Sequence, residues 1–153
     1  MGAVYFYHMT RSPLSATLPT LLQKSRGAGW RVLVRAPDAT ARDQIDDLLW
    51  TFDPGSFLPH GVEDGQLQSI LITDANATLG DRQALVSVFG APLEAEEIQT
   101  CDRGMILFDG QDADAVAHAR MQWKSLTAAG VSAQYWSDAD GGWTMKASTD
   151  DAG

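Results

Sequence analysis

The sequence predicts a single three-layer α/β domain: a mostly parallel, twisted sheet with helices on both faces. Three observations predict it. The chain opens as strand, helix, strand, an order that favours parallel strands joined by a right-handed crossover. The run Gly104–Asp109 is apolar almost throughout, as a central parallel strand should be. Between the extended runs, apolar residues recur at steps of three and four, the spacing of a helix that covers a sheet.

The first element is Ala3–His8, a β-branched and aromatic run typical of a strand. Thr10 or Ser12 can cap the helix that follows, with Pro13 at its first position, where the missing N–H costs nothing. Leu14, Leu18, Leu21 and Leu22 form its apolar stripe through about Lys24, and Gly27 and Gly29 stop it. Trp30–Arg35 reads as the second strand. Pro37 and Asp38 start a second helix, whose buried side is Ala41, Ile45, Leu48 and Leu49, ending near Thr51. The stretch 56–61 reads as a loop with a short extended piece. Strands are expected at Ser69–Thr73, Ala84–Phe89 and Gly104–Asp109, with a short acidic helix over Pro92–Gln99. The acidic segment 92–99 reads either as an interface or as a solvated surface. A long helix, Asp112–Ala129, carries Gly130 as its C-terminal cap. Val131–Trp136 and Gly142–Lys146 complete the pattern around a turn at Asp138–Gly141. The domain is expected to span 1–148, with 149–153 a disordered polar tail.

Composition narrows the function. At 153 residues the chain can bury one respectable core. Its formal net charge is −9, with 20 acidic residues against 11 basic. Proteins that grip DNA by neutralising phosphates carry a basic face, so direct nucleic-acid binding is not expected, although a small basic patch can coexist with a negative total. One cysteine, Cys101, cannot form an internal disulfide and reads as a small, partly buried residue. The first ten residues lack the features of a secretory signal, and no apolar run is long enough for a bilayer. A cytoplasmic protein without membrane contact is the expectation.

Chemistry is scarce. A phosphate loop needs closely spaced glycines, so that backbone N–H groups can surround the phosphates. After the first strand the sequence is His8–Pro13 without a glycine, and after the second it is Ala36–Asp38, again without one. His8, His60 and His118 are widely separated, and no metal site or cofactor is expected. Ser56, His60 and Asp53 could be assembled into a triad on paper, but no nucleophile elbow presents the serine. The alternative of a small nucleotide-binding protein or enzyme with an unfamiliar loop around Asp53 and His60 therefore has no motif behind it.

Two regions stand out. In the first, Trp50, Phe52 and Phe57 gather about a loop stiffened by Pro54 and Pro59. Trp50 is expected to seal the end of the core, whereas Phe57, between Gly55–Ser56 and Leu58–Pro59, fits either the core or the wall of a surface pocket. In the second, Val116, Ala119, Trp123 and Leu126 of the long helix should face the sheet, while Arg120 and Lys124 stack on one side. No acidic residue lies at 116, 117, 121, 127 or 128 to pair with them. They read either as two solvated cations or as a cationic spot beside apolar surface, suited to a peptide ending in an aromatic residue and a carboxylate.

These stretches resemble the chi subunit of bacterial DNA polymerase III. The similar pieces are Phe6–Thr10, Gly29–Val34, Asp46–His60, Leu107–Gly110, Arg120–Gly130 and Gln134–Trp136, in order over nearly the whole chain. The most specific is the block L-W-x-x-x-x-x-S-F-x-P-H that runs from Leu49 to His60. The resemblance implies an α/β fold of nucleotide-binding topology without the nucleotide, and a non-catalytic role in the clamp-loader assembly. It implies binding of the acidic, Phe-terminated C-terminal tail of single-stranded-DNA-binding protein, and contact with clamp-loader subunits, directly or through a psi subunit. It assigns the tail pocket to Phe57 and Arg120, and Trp50 and Trp123 read as pocket support. A second family cation falls at Val116 and is absent, and Lys124, one turn later, is the expected substitute.

Overall fold

The computed structural model describes residues 3–51, 60–61, 70–74 and 82–149, of which 50, 51, 60 and 61 are described as backbone alone. In chain order the elements are β1 (Ala3–Met9), α1 (Leu14–Gly27), β2 (Val32–Arg35), α2 (Ala39–Thr51), β3 (His60–Gly61) and β4 (Ile70–Thr73). They continue with β5 (Ala84–Ser87), α3 (Ala95–Thr100), β6 (Arg103–Asp109), α4 (Ala113–Ala128), β7 (Ser132–Ser137) and β8 (Thr144–Ser148). The strands form one open sheet in the order β3-β4-β2-β5-β6-β1-β7-β8. Neighbours run parallel from β3 through β7, and β8 returns antiparallel to β7. This is the mostly parallel, three-layer α/β architecture the sequence predicts.

Alternation along the strands divides the core in two. On the first face Tyr7, Met9, Val32, Val34, Ile70, Ile72, Val86, Met105 and Leu107 meet α1 and α2 through Leu18, Leu22, Ile45 and Leu49. On the second face Val4, Phe6, Leu33, Leu71, Leu85, Ile106 and Phe108 meet α3 and α4 through Ile98, Ala119 and Leu126. The helix ends follow local chemistry. Asp38 accepts from the Ala41 N–H at 2.8 Å to start α2, and Glu94 and Glu97 form a capping box on α3. Gly130, at φ 91°, lets the Val131 N–H reach the Leu126 carbonyl and close α4.

Several boundaries differ from the sequence reading, among them α3, which starts at Ala95 rather than Pro92, and β8, which runs Thr144–Ser148 rather than from Gly142; three others have a visible local cause. Trp30 and Arg31 precede β2, because the Trp30 N–H closes α1 on the Ser25 carbonyl and the Arg31 N–H bonds the Gln83 side chain. Phe89 does not extend β5. It sits at φ 53° in a tight turn closed by the Ala91 N–H on the Val88 carbonyl, half exposed at 51%. Pro13 is the N-cap of α1 in an extended conformation, not its first helical residue, and neither Thr10 nor Ser12 caps the helix.

The N–H groups upstream of α1 are held from the far end of the chain. Asp138, 2% exposed, accepts from Thr10 N at 2.6 Å, Ser12 N at 2.6 Å and Arg11 N at 3.1 Å. On the second face the Arg35 guanidinium is buried and meets the Glu97 carboxylate in a fork of 2.8 and 2.7 Å. This answers for Glu97 what the acidic segment does: it anchors α3 to β2 by an ion pair across the layer.

Candidate partner-binding site

The region around Arg120 is built from α4 and the two strands beneath it. Asp112 caps α4, accepting from Asp114 N at 3.0 Å and Ala115 N at 3.4 Å. With the helix start fixed, its periodicity turns Ala119 and Leu126 into the core, with Val116 and Trp123 half-buried against it. Arg120 and Lys124 are then exposed, one turn apart on the same side. Neither has an ion-pair partner among the described residues.

Beside these cations lies an aromatic shelf. Trp123 packs edge-on against Phe6 at 5.3 Å and against Tyr135 at 6.1 Å. Tyr135 is half-buried and shares a hydrogen bond with His8 Nδ1. His8 in turn stacks, tilted, on Phe108 at 5.0 Å. The parallel register that pairs Phe6 with Tyr135 on one side and His8 with Phe108 on the other puts these rings on one face. Gly110 lets the His8 ring lie where it does, because a Cβ at that position would overlap the imidazole. Burial pushes the Tyr135 phenol up, against the pull of nearby Arg120, so it remains a neutral hydrogen-bonding group at pH 7.

The sequence-predicted residues fall out as follows. Arg120, Lys124 and Trp123 come together on α4. Phe57 lies outside the described residues, as do Asp53 and Ser56 and the side chains of Trp50 and His60. The backbone of Trp50 belongs to α2 on the first face, with the sheet between it and α4. His8 and Tyr135 escaped the sequence reading as members of this shelf. The signal available was alternation: even positions of β1 and odd positions of β7 point toward α4 once the two strands are paired.

Nucleotide-binding α/β folds hold phosphates where adjacent strands send their connections to opposite faces of the sheet. β1 leads into α1 on the first face, and its neighbour β6 leads into α4 on the second, so their connections diverge at a topological switch point. A crevice of about 1010 Å³ opens there, lined by Thr10, Arg11, Phe89, Asp109, Asp112 and His118 among others. The backbone N–H groups of residues 10–12, which would face a phosphate, are bonded instead to the Asp138 carboxylate. Asp109 and Asp112 add negative charge at the rim. The arrangement disfavours a phosphate ligand, and it explains physically how such a topology stands without one.

The family model for the DNA polymerase III chi subunit, HolC, matches residues 1–134. Among curated proteins none matches the chain. Among the described residues no helix is long and apolar enough to cross a membrane. The match spans β1 through the shelf residues of β1, β6 and α4 and into β7: this chain belongs to the DNA polymerase III chi subunit family, an accessory subunit of the replicative polymerase.

Proposed function

We propose that this subunit is a non-catalytic adaptor in the clamp-loader assembly, binding the acidic, Phe-terminated C-terminal tail of single-stranded-DNA-binding protein. The observation that carries the reading is the pair of exposed cations, Arg120 and Lys124, without acidic partners among the described residues and flanking the Trp123–Tyr135 shelf. In this reading the guanidinium and ammonium receive the tail's carboxylates, and its terminal ring lies against the indole and phenol. Phe57, carried over from the family block, is proposed as a further wall of the pocket; Trp50, whose backbone lies across the sheet from α4, is proposed to support the Phe57 loop rather than the α4 shelf. A contact with other clamp-loader subunits, directly or through a psi subunit, belongs to the same proposal.

The magnitudes are consistent. Burying a Phe side chain contributes roughly 1.5–3 kcal/mol, and each hydrogen bond to a charged group about 1.5–3 kcal/mol. After several kcal/mol of association cost, an affinity on the order of micromolar results. A tether that must release and rebind is well served by such a grip.

Calorimetric titration of a peptide with the tail's sequence tests the proposal. Arg120→Ala is expected to weaken binding about tenfold or more, the equivalent of one charged hydrogen bond. Phe57→Ala and Lys124→Ala, measured alongside, decide whether those residues belong to the site. Equal affinity of wild type and Arg120→Ala removes Arg120 from it. Absence of binding to the wild type refutes the adaptor reading.

A further inference from the structure

On the first face, away from α4, a groove of about 550 Å³ runs between α1 and the strands β6, β1 and β7. Its walls are rich in rings: Tyr7 from β1, Trp30 from the segment before β2, Trp136 from β7 and Trp143 from the segment before β8. Tyr7 and Trp143 meet edge-on at 5.4 Å. Lys24 lies on the α1 wall, exposed, and Arg103 at the start of β6 forms the end of the floor. Although acidic residues outnumber basic ones 20 to 11 in the chain, none of the described residues lining this groove is acidic.

Arg103 is the telling residue. Its guanidinium carbon sits 4.2 Å from the Tyr5 ring centroid and 5.2 Å from that of Trp30. Two aromatic faces thus hold a half-buried cation in place. Among the described residues no carboxylate, carbonyl or hydroxyl accepts a hydrogen bond from it. The other polar groups of the walls are neutral hydroxyls. Thr17, Thr20 and Ser25 spend their hydroxyl protons on carbonyls of α1 itself. Burial pushes the Tyr7 phenol up to about 12, so it keeps its proton. A hollow with two cations, apolar walls and no carboxylate among its described lining residues calls for a ligand that brings anionic oxygen and a large apolar group together.

We infer that this groove is a second docking site, taking an internal acidic segment of a partner protein that carries an aromatic or branched aliphatic side chain. Arg103 and Lys24 receive its carboxylates, and the apolar side chain enters between Trp136 and Trp143. A single strand of nucleic acid shares the anionic and stacking chemistry but fits less well. The ring faces of Tyr5 and Trp30 nearest the cation are covered by the guanidinium rather than free for bases. Two cations also match two carboxylates better than a run of phosphates approaching a molecule of net charge −9. The site is independent of Arg120 and of chain-end recognition.

The probe is a peptide of glutamates flanking a phenylalanine–leucine pair, acetylated and amidated so that it offers no chain-end carboxylate. It is titrated calorimetrically against the full chain, with amide and indole N–H shifts read by NMR. Saturable binding that perturbs the Trp136 and Trp143 indoles is expected. Arg103→Met and Lys24→Glu should each weaken it about tenfold, and Arg120→Ala should leave it unchanged. Lys24 is exposed on α1, so its variant reads the site even if Arg103→Met unfolds the chain. The inference is overturned by any of four results: no binding to the wild type, full affinity in Lys24→Glu, equal binding of a glutamine version of the peptide, or tighter binding of an oligothymidylate of matched charge. Loss of binding in Arg120→Ala with Lys24→Glu unaffected would move the peptide to the α4 site and overturn it too.

Discussion

Withdrawing a carboxylate from water normally raises its pKa, and burial does push the Asp138 carboxyl upward. It nevertheless titrates at about 2, because hydrogen bonds from Thr10, Ser12 and Arg11 outweigh that penalty. A folded pKa below the unfolded value of about 3.9 means that the interaction stabilises the fold fully above that pH and is lost as the pH falls toward 2. The shift corresponds to about 2 kcal/mol. Asp138→Asn should therefore lower stability by about that amount at pH 7 and flatten the change in stability between about pH 4 and 2; urea unfolding at stepped pH measures both. Nothing near Thr10 in the sequence reveals this partner, since it lies 128 residues away, in what reads as an ordinary turn. Gly110 makes a second prediction. Gly110→Ala forces the His8 ring to shift, loosening its hydrogen bond to Tyr135 and costing about 1–3 kcal/mol. Thermal unfolding reads the cost, and tail-peptide affinity reads whether the shelf moves with it.

Elements were legible where their own residues decide them. β1, β6 and α4 follow from unbroken patterning, and helical spacing places Arg120 and Lys124 together on α4, while their assignment to a pocket rests on the family resemblance. What escaped depends on residues distant in sequence: the start of β2 on Gln83, the segment leading into α1 on Asp138, and the aromatic shelf on the pairing of β1 with β7. The short helix α3 is the clearest instance. Its composition gives a short acidic helix and leaves open whether that helix is solvated or an interface, yet its position is set by Glu97, whose pKa is lowered chiefly by the hydrogen bonds from Arg35. Arg35 is 4% exposed and also donates to the Pro92 carbonyl at 3.0 Å, so the guanidinium ties down both the helix and the segment leading into it. Glu97→Ala would leave this cation buried without its counter-charge, at a cost of about 3 kcal/mol. Replacing both, as Arg35→Met with Glu97→Leu, should recover most of that loss, since an apolar pair of similar volume needs no counter-charge. Chemical denaturation of Arg35→Met, Glu97→Leu and the double variant measures the coupling. Additive losses would show that the ion pair is not what docks α3.

At the scale of the whole molecule, the proposed function sets an acidic chain against an acidic tail. The mean field of a molecule with net charge −9 opposes approach, while two cations on α4 hold the tail once it arrives. Rate and lifetime should therefore respond to different residues. Glu96 and Asp114 are exposed carboxylates on the same face as Arg120, and neither belongs to the proposed contact. Changing them to Gln and Asn removes two negative charges while keeping side-chain shape. Association of the tail peptide should quicken about two- to threefold at low salt, with dissociation unchanged. The gain should vanish as salt rises, since the screening length falls to about 8 Å at physiological ionic strength and about 3 Å at 1 M. Arg120→Ala should do the reverse, shortening the lifetime of the complex at every salt concentration by removing a contact rather than a field. Stopped-flow traces across a salt series separate the two. If the Glu96/Asp114 variant changes dissociation instead, those carboxylates touch the tail, and the contact extends beyond Arg120 and Lys124 toward the N-terminal ends of α3 and α4.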